Sequence, residues 1–433
     1  MKKLLIILPL ALVLYFMVGC QDKEARAELE AFKGQVVEKM VDVQGHEMHV
    51  QIAGLENRLP GQPVVVLENG FGNTLGAWRI VFPLISQFAS VFAYERAGIG
   101  QSESDGEEPT PRHIAERLHA LLQQIDIEPP YVMVGWSLGG PLIRMFAGIY
   151  PEEVAGMVYV DPSDFTATKA ENLALFESIG SGVEGQKALK QLEEQFFQGY
   201  VISTGEKAEM KMALDMEEQS YEEFRHIKPV PDIPVVMLAA TKYSPMSWVP
   251  KESLLPFDLD RYSDALTQLR LEKLLRITRE VSEGTFVMTG NSGHAINSQE
   301  PDLLVWAVAR AVFPDIGRQI RRVINENGVN AGVGSYLRLK KFYPKERFHE
   351  GLLNTVGYEF LYYYGKVDEA VAIFELNVQE YPNAWDLYDS LAEGYMMQGE
   401  TEKAIANYKK SLELNPQNQN AVNKLNKLEK KTE

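Results

Sequence analysis

Tyr131-Val132-Met133-Val134-Gly135-Trp136-Ser137-Leu138-Gly139-Gly140 is a short apolar run that stops at a Gly-x-Ser-x-Gly, and a helical pattern from Pro141 to Tyr150 begins at once. Strand, sharp turn and helix in that order put a serine at the apex. Such a turn holds the serine in a strained backbone conformation. The glycines two before and two after it let the neighbouring chain pass where side chains would clash. The five-residue pattern alone is common in proteins and fits an ordinary glycine-rich turn. Its position between a strand and a helix points to a nucleophilic serine.

The chain around this stretch has 433 residues, too many for one compact core, so two domains are expected. Its 45% hydrophobic and 24% charged residues are those of an ordinary globular protein. The net charge is −17, and it becomes −19 once the first nineteen residues, with Lys2 and Lys3, are set aside. So acidic a surface excludes nucleic acid as the natural partner and disfavours peripheral binding to anionic lipid.

Lys2-Lys3 followed by an apolar run over 4–18 and Gly19-Cys20 reads as a targeting segment, too short to span a bilayer comfortably. Met17-Val18-Gly19-Cys20 resembles a bacterial lipobox, with methionine at the usual leucine. Cys20 is the only cysteine, which rules out an intrachain disulfide and an all-cysteine metal site. The resemblance implies a signal peptide over 1–19, lipidation of Cys20 and a tether over 20–35. Several acyl chains would then anchor the protein stably in the cell envelope. Gln21, where aspartate would retain such a protein at the inner membrane, favours the outer one.

From residue 36 to about 314, apolar runs alternate with helical patterns, as in an α/β sheet. Residues 36–43 and 47–52, joined at Gln44-Gly45-His46, read as a hairpin. Runs at 63–67, 90–94, 154–160, 233–240 and 285–289 read as further strands, and 110–125 as a helix with Pro111 at its first turn. Four segments, in order, resemble the α/β-hydrolase family. They are Glu68-Asn69-Gly70-Phe71-Gly72; Glu95-Arg96-Ala97-Gly98-Ile99-Gly100-Gln101-Ser102; the elbow at Ser137; and Gly293-His294 ahead of Gln299-Glu300-Pro301. Two departures stand out. Asn69-Gly70 replaces the usual His-Gly, and Glu95 replaces an aspartate.

The resemblance implies a mainly parallel sheet and a Ser–His–acid triad with no metal or organic cofactor. A serine hydroxyl needs a base within reach, and of seven histidines His294 stands at the family position. The acid, which must fix the imidazole tautomer and stabilise its cation, is assigned to Asp161, with Asp258 or Asp260 as the alternative in a second loop. Asp161, in Val160-Asp161-Pro162, ends the strand after the nucleophile helix. Asp258 or Asp260 follows the next strand, whose tip Ala240-Thr241-Lys242 carries no acid. Backbone N–H groups of Phe71 and Leu138 would form the oxyanion hole. Residues 164–229, helical and rich in Glu, Gln and Lys, would be a cap over the site. Arg96 and Glu68 line the pocket or form a structural ion pair.

After Phe313-Pro314 a period of 34 emerges: Gly365/Gly399, Ala370/Ala404, Phe374/Tyr408 and Pro382/Pro416. Small residues where helices touch, an aromatic in the groove and a terminating proline resemble the tetratricopeptide repeat. Gly357 makes the first repeat irregular, 421–430 reads as a polar capping helix, and 320–350 should add helices. The repeats serve either as a stabilising appendage or as a protein- or peptide-binding surface.

The expected activity is cleavage of a small-molecule carboxylic ester or related acyl bond through an acyl-Ser137 intermediate. Thioesterase, amidase and acyltransferase chemistry run on the same groups. A non-catalytic surface protein acting through its repeats is the alternative from another class.

Overall fold

The computed structural model describes residues 36–432 except 60, 201–202, 243–248, 250–254 and 344. The expected signal segment, Cys20 and the tether lie outside the described residues. Two compact units meet in the chain at Phe313 and Pro314.

The first unit is built on one eight-stranded sheet. Its strands are β1 (Val37–Val43), β2 (His46–Ala53), β3 (Val64–Glu68), β4 (Val91–Tyr94), β5 (Tyr131–Trp136), β6 (Val154–Val160), β7 (Val235–Ala240) and β8 (Gly284–Thr289), in the order β1-β2-β4-β3-β5-β6-β7-β8. Only β2 runs antiparallel to its neighbours, β1 and β4; the rest of the sheet is parallel. This is the α/β-hydrolase fold, as the sequence resemblance implies. The central strands are buried on both faces, which is why they read as unbroken apolar runs. Alternate residues serve opposite faces. Val64, Val66 and Met133 pack with Leu118, Leu121 and Phe146, whereas Val65, Leu67 and Val134 pack with Trp78, Phe82 and Leu304.

The helices covering one face include α1 (Pro111–Gln124) and α2 (Gly139–Ile149), which leaves the elbow directly. Thr110 caps α1 by accepting the His113 amide at 3.0 Å. Between β6 and β7 come three long helices, α3 (Lys169–Ser178), α4 (Gly182–Tyr200) and α5 (Thr204–Glu218), and a single short turn of helix over Glu222–Arg225. Thr168 with Glu171, and Ser203 with Glu206, close reciprocal capping boxes that fix where α3 and α5 begin. A 21-residue helix, α6 (Leu259–Arg279), precedes β8, and α7 (Pro301–Val312) packs beneath the sheet. In sequence α6 carries no clear helical signature, because its apolar positions are interleaved with four arginines and a lysine.

The second unit is all helical: α8 (Ile316–Asn327), α9 (Val329–Phe342), α10 (Glu350–Tyr358), α11 (Val367–Glu380), α12 (Trp385–Gln398), α13 (Thr401–Leu414) and α14 (Gln419–Thr432). The 34-residue period has a physical basis here. Gly365 and Gly399 sit at φ +65° and +88°, ending one helix before the next begins. Ala370 and Ala404 are fully buried where helices touch, and the Phe374 and Tyr408 rings fill equivalent gaps. The irregular Gly357 is explained by Phe374. A β-carbon at 357 would lie 2.4 Å from the Phe374 ring, so the large residue missing from one helix is supplied by its neighbour.

Candidate active site

Ser137 sits at φ 54° between β5 and α2, a strained value for a serine and the reason it stands proud of the sheet. Its backbone is pinned on both sides: its N–H donates to Val160 O at 3.1 Å, and its carbonyl accepts the Ser163 and Gly140 amides. The flanking glycines are steric necessities. A β-carbon at Gly135 would meet Gly139 O at 2.3 Å, and one at Gly139 would meet Glu68 O at 2.3 Å. A β-carbon on Gly70 would lie 3.3 Å from that of Ser137, so the loop after β3 runs against the serine. Leu138 opens α2, where backbone N–H groups lack helical partners and the helix dipole is positive.

The imidazole of His294 lies with Nδ1 2.7 Å from Asp161 Oδ2. The Asp161 side chain is wholly buried, and that of His294 is about one-third exposed. Asp161 follows β6 directly at φ 43° and ends its strand in a strained turn, as Ser137 does. Its Oδ1 accepts the Ala240 N–H at 2.8 Å and an Arg270 Nη2 hydrogen from α6 at 2.5 Å. Burial alone would raise this carboxyl. The His294 hydrogen bond, the Arg270 charge and the Ala240 amide outweigh it and hold the group below the usual carboxylate range.

The loop carrying His294 is braced from several directions. Trp136 Nε1 donates to the His294 carbonyl at 2.9 Å, and the indole and imidazole ring centres are 5.6 Å apart. Gln299 Oε1 accepts the Gly293 N–H at 2.7 Å, Glu300 accepts the Ser292 hydroxyl at 2.8 Å, and Asn297 reaches Ala77 O. Asp258 is engaged elsewhere. It is the N-cap of α6, accepting the Arg261 amide at 3.0 Å, and Asp260 lies in the first turn of that helix. Of the two loops open in sequence, the geometry therefore brings Asp161 to the imidazole and not Asp258 or Asp260.

Carboxylate–imidazole pairs also occur away from this place. His113 lies 2.8 Å from Asp105, His119 3.1 Å from Glu153, and buried His49 lies between Glu95 and Glu38. Distance alone does not distinguish His294 from these. Its loop is the one tied by hydrogen bond to the residue preceding Ser137.

Two residues at the site carry no motif. Arg270 is one. The other is Glu209 on α5, whose carboxylate meets Arg96 at Nε (2.5 Å) and Nη2 (2.9 Å). Arg96 also donates to Glu68 at 2.7 Å and to the carbonyls of Asn69 and Gly70 at 2.8 Å. Tyr94 donates its hydroxyl to the second Glu68 oxygen. Burial leaves Glu68 above the ordinary carboxylate range despite Arg96 and Tyr94. Burial also opposes the Arg96 charge, but Glu209 and Glu68 more than offset it and hold the proton firmly. In sequence, Arg96–Glu68 is one of two open readings, and Glu209 is one glutamate among many in a helical insertion. Phe71, Leu138, Leu142, Ile114 and Met212 of α5 form an apolar cluster beside the elbow. Among the described residues, no group of three or more His, Cys, Asp and Glu side chains is placed to hold a metal ion.

The alpha/beta hydrolase fold profile matches residues 63–191, and a tetratricopeptide repeat profile matches 385–418. An AB hydrolase superfamily protein of Gibberella zeae is 30% identical over 139 residues, 31% of this chain and 43% of that protein. The uncharacterized Bacillus subtilis protein YqjL is 28% identical over 202 residues, 43% of this chain and 78% of its own length. The crystal structure of the carboxylesterase CesB from Bacillus subtilis is 14% identical. Its match covers 66% of this chain and 95% of that one, with a TM-score of 0.39.

Proposed function

We propose that the protein is a serine hydrolase that cleaves a carboxylic ester or related acyl bond of a small molecule. The observation that carries this reading is the 2.7 Å contact between His294 and buried Asp161, on a loop tied to the strained Ser137 elbow.

In this mechanism Ser137 Oγ attacks the acyl carbon while His294 Nε2 takes its proton. Asp161 holds the Nδ1–H tautomer and stabilises the imidazolium; its depressed basicity keeps the proton on the ring. The negative charge on the carbonyl oxygen is met by the N–H groups of Leu138 and Phe71. Collapse expels the alcohol, which leaves with the proton from His294. Water then repeats the sequence on acyl-Ser137, releasing the acid and restoring the enzyme. The apolar cluster of Phe71, Leu138 and Met212 suits an acyl group with hydrocarbon character.

The lipobox-like Met17-Val18-Gly19-Cys20 supports a lipid-anchored protein of the bacterial envelope, on the outer membrane where the cell has one. The matched repeat supports a protein or peptide partner for the second unit. Turnover of p-nitrophenyl esters tests the central reading. Wild type hydrolyses them, and Ser137→Ala and His294→Ala lose all but a residual rate. Wild-type rates in either variant would exclude the mechanism. Labelling with radioactive palmitate, lost in Cys20→Ser, tests the anchor.

A further inference from the structure

We propose that cap helix α5 is part of the oxyanion apparatus, with Glu209 the positioning residue that holds the loop bearing Phe71 in its working shape. This rests on the ester-hydrolase reading.

The contacts form a closed set. Glu209 Oε2 accepts the Gly72 N–H at 2.9 Å, so a cap side chain bonds directly to the loop backbone one residue after Phe71. The same carboxylate grips Arg96 with both oxygens, and Arg96 turns its two Nη groups onto the carbonyls of Asn69 and Gly70. Residues 69, 70 and 72 are thus held on both sides of Phe71. The carboxylate and guanidinium are 2% and 3% exposed, so water does not compete for these bonds. A charge buried to this degree needs its partner in place. When α5 lifts, the loop loses the bond from Glu209 to Gly72, and Arg96 keeps Glu68 but loses the carboxylate that fixes its Nε and Nη2, the nitrogen that reaches Gly70 O.

An independent feature shows that α5 is built to dock at this spot. Gly205, in its first turn, packs backbone to backbone on Gly98; a β-carbon there would lie 2.0 Å from Gly98 O. Gly72 has φ +61°, and a β-carbon on it would lie 3.2 Å from Glu206 Cγ. The first turn of α5 thus touches both the loop after β3 and the loop after β4. Behind the pair, Gly98, Ile114, Gly205 and Ala208 line a cavity of about 440 Å³, whose wall includes Arg96 and Glu209 themselves. Nothing in the elbow or in Gly293-His294 demands a glutamate at 209. An oxyanion loop tied to the cap couples closure over the substrate to assembly of the hole.

The test compares wild type, Glu209→Gln and Gly205→Ala, with rates normalised to the serine titrated by a fluorophosphonate at completion. Misplacing one oxyanion donor lowers kcat by about 10–100-fold. We expect that loss in Glu209→Gln with KM for a short p-nitrophenyl ester changed less than threefold. Gly205→Ala removes no charge and raises helix propensity, yet its clash with Gly98 should produce the same kcat defect. A merely structural Glu209 would lower the melting temperature or the titratable fraction and leave kcat per titrated site unchanged; that result overturns the proposal. If Glu209→Gln does not fold, Gly205→Ala decides alone, and unfolding of both assigns the contacts to stability and also overturns it. A wild type that neither labels nor turns over would refute the hydrolase reading itself, a different outcome from wild-type kcat in the variants.

Discussion

The two units are specified in opposite ways. In the first, the decisive contacts join single residues far apart in the chain: Asp161 to His294, Asp161 to Arg270, Arg96 to Glu209. In the second, the packing is a short-range pattern written more than once, with Ala370, Phe374 and Gly365 returning as Ala404, Tyr408 and Gly399. In the proposed hydrolase, function in the first unit therefore hangs on individuals, whereas stability in the second is shared among equivalent positions. Substitutions should separate rate from stability along this line.

The largest effect is expected at Asp161. Asp161→Asn keeps the shape but offers the imidazole the wrong partner, and kcat should fall on the order of 10³–10⁴-fold. Its folded-state carboxyl is depressed, so it contributes stability above the unfolded value of about 3.9 and loses that contribution as pH falls through its folded value. Thermal unfolding of wild type should therefore weaken at acid pH more steeply than that of Asp161→Asn. Equal slopes would remove the ionised carboxylate from the account.

Phe374→Ala reverses the pattern. Emptying a fully buried ring site that also fills the space over Gly357 should destabilise the repeat unit by about 3–5 kcal/mol. Denaturant unfolding followed by tyrosine fluorescence measures it, while ester turnover per titrated serine stays within twofold at low denaturant. A matching loss of turnover would break the contrast between the units.

Arg270→Gln comes next, with kcat expected to fall about tenfold. With its cationic partner gone, Asp161 becomes more basic and stabilises the His294 imidazolium better. The acid limb of the kcat/KM profile should then move to higher pH by about one unit. A shift to lower pH would show that Arg270 acts by another route. The smallest effect belongs to Gly399→Ala, which places a side chain at φ +88° and should cost about 1 kcal/mol in the same unfolding experiment with no kinetic consequence.

The same contrast decides what could be read without a structure. Ser137 announces itself because the elbow needs glycines at 135 and 139, and backbone crowding leaves a local mark. His294 is visible through Gly293 and the Gln299-Glu300 that follow, whose side chains brace its loop. The repeats are visible because a period survives any single irregularity, Gly357 included. In sequence, Asp161 keeps Asp258 or Asp260 as its alternative for a physical reason. Which carboxylate meets the imidazole depends on where β6 ends relative to a loop more than a hundred residues later. Arg270 and Glu209 were illegible altogether. Each is a charged residue on an amphipathic helix, indistinguishable in sequence from the solvated face that such residues usually form. Only tertiary packing buries Glu209 to 2% and Arg270 to a 13% exposed side chain against their partners.

Everything proposed for the first unit depends on Ser137 being the nucleophile that carries the acyl group. Rapid quenching during turnover of a slowly deacylating p-nitrophenyl ester, followed by peptide mass spectrometry, tests it most directly. One acyl group is expected on the peptide containing Ser137, formed with the burst of p-nitrophenol and absent in Ser137→Ala. Steady turnover with no adduct, or an adduct on another residue, would contradict it.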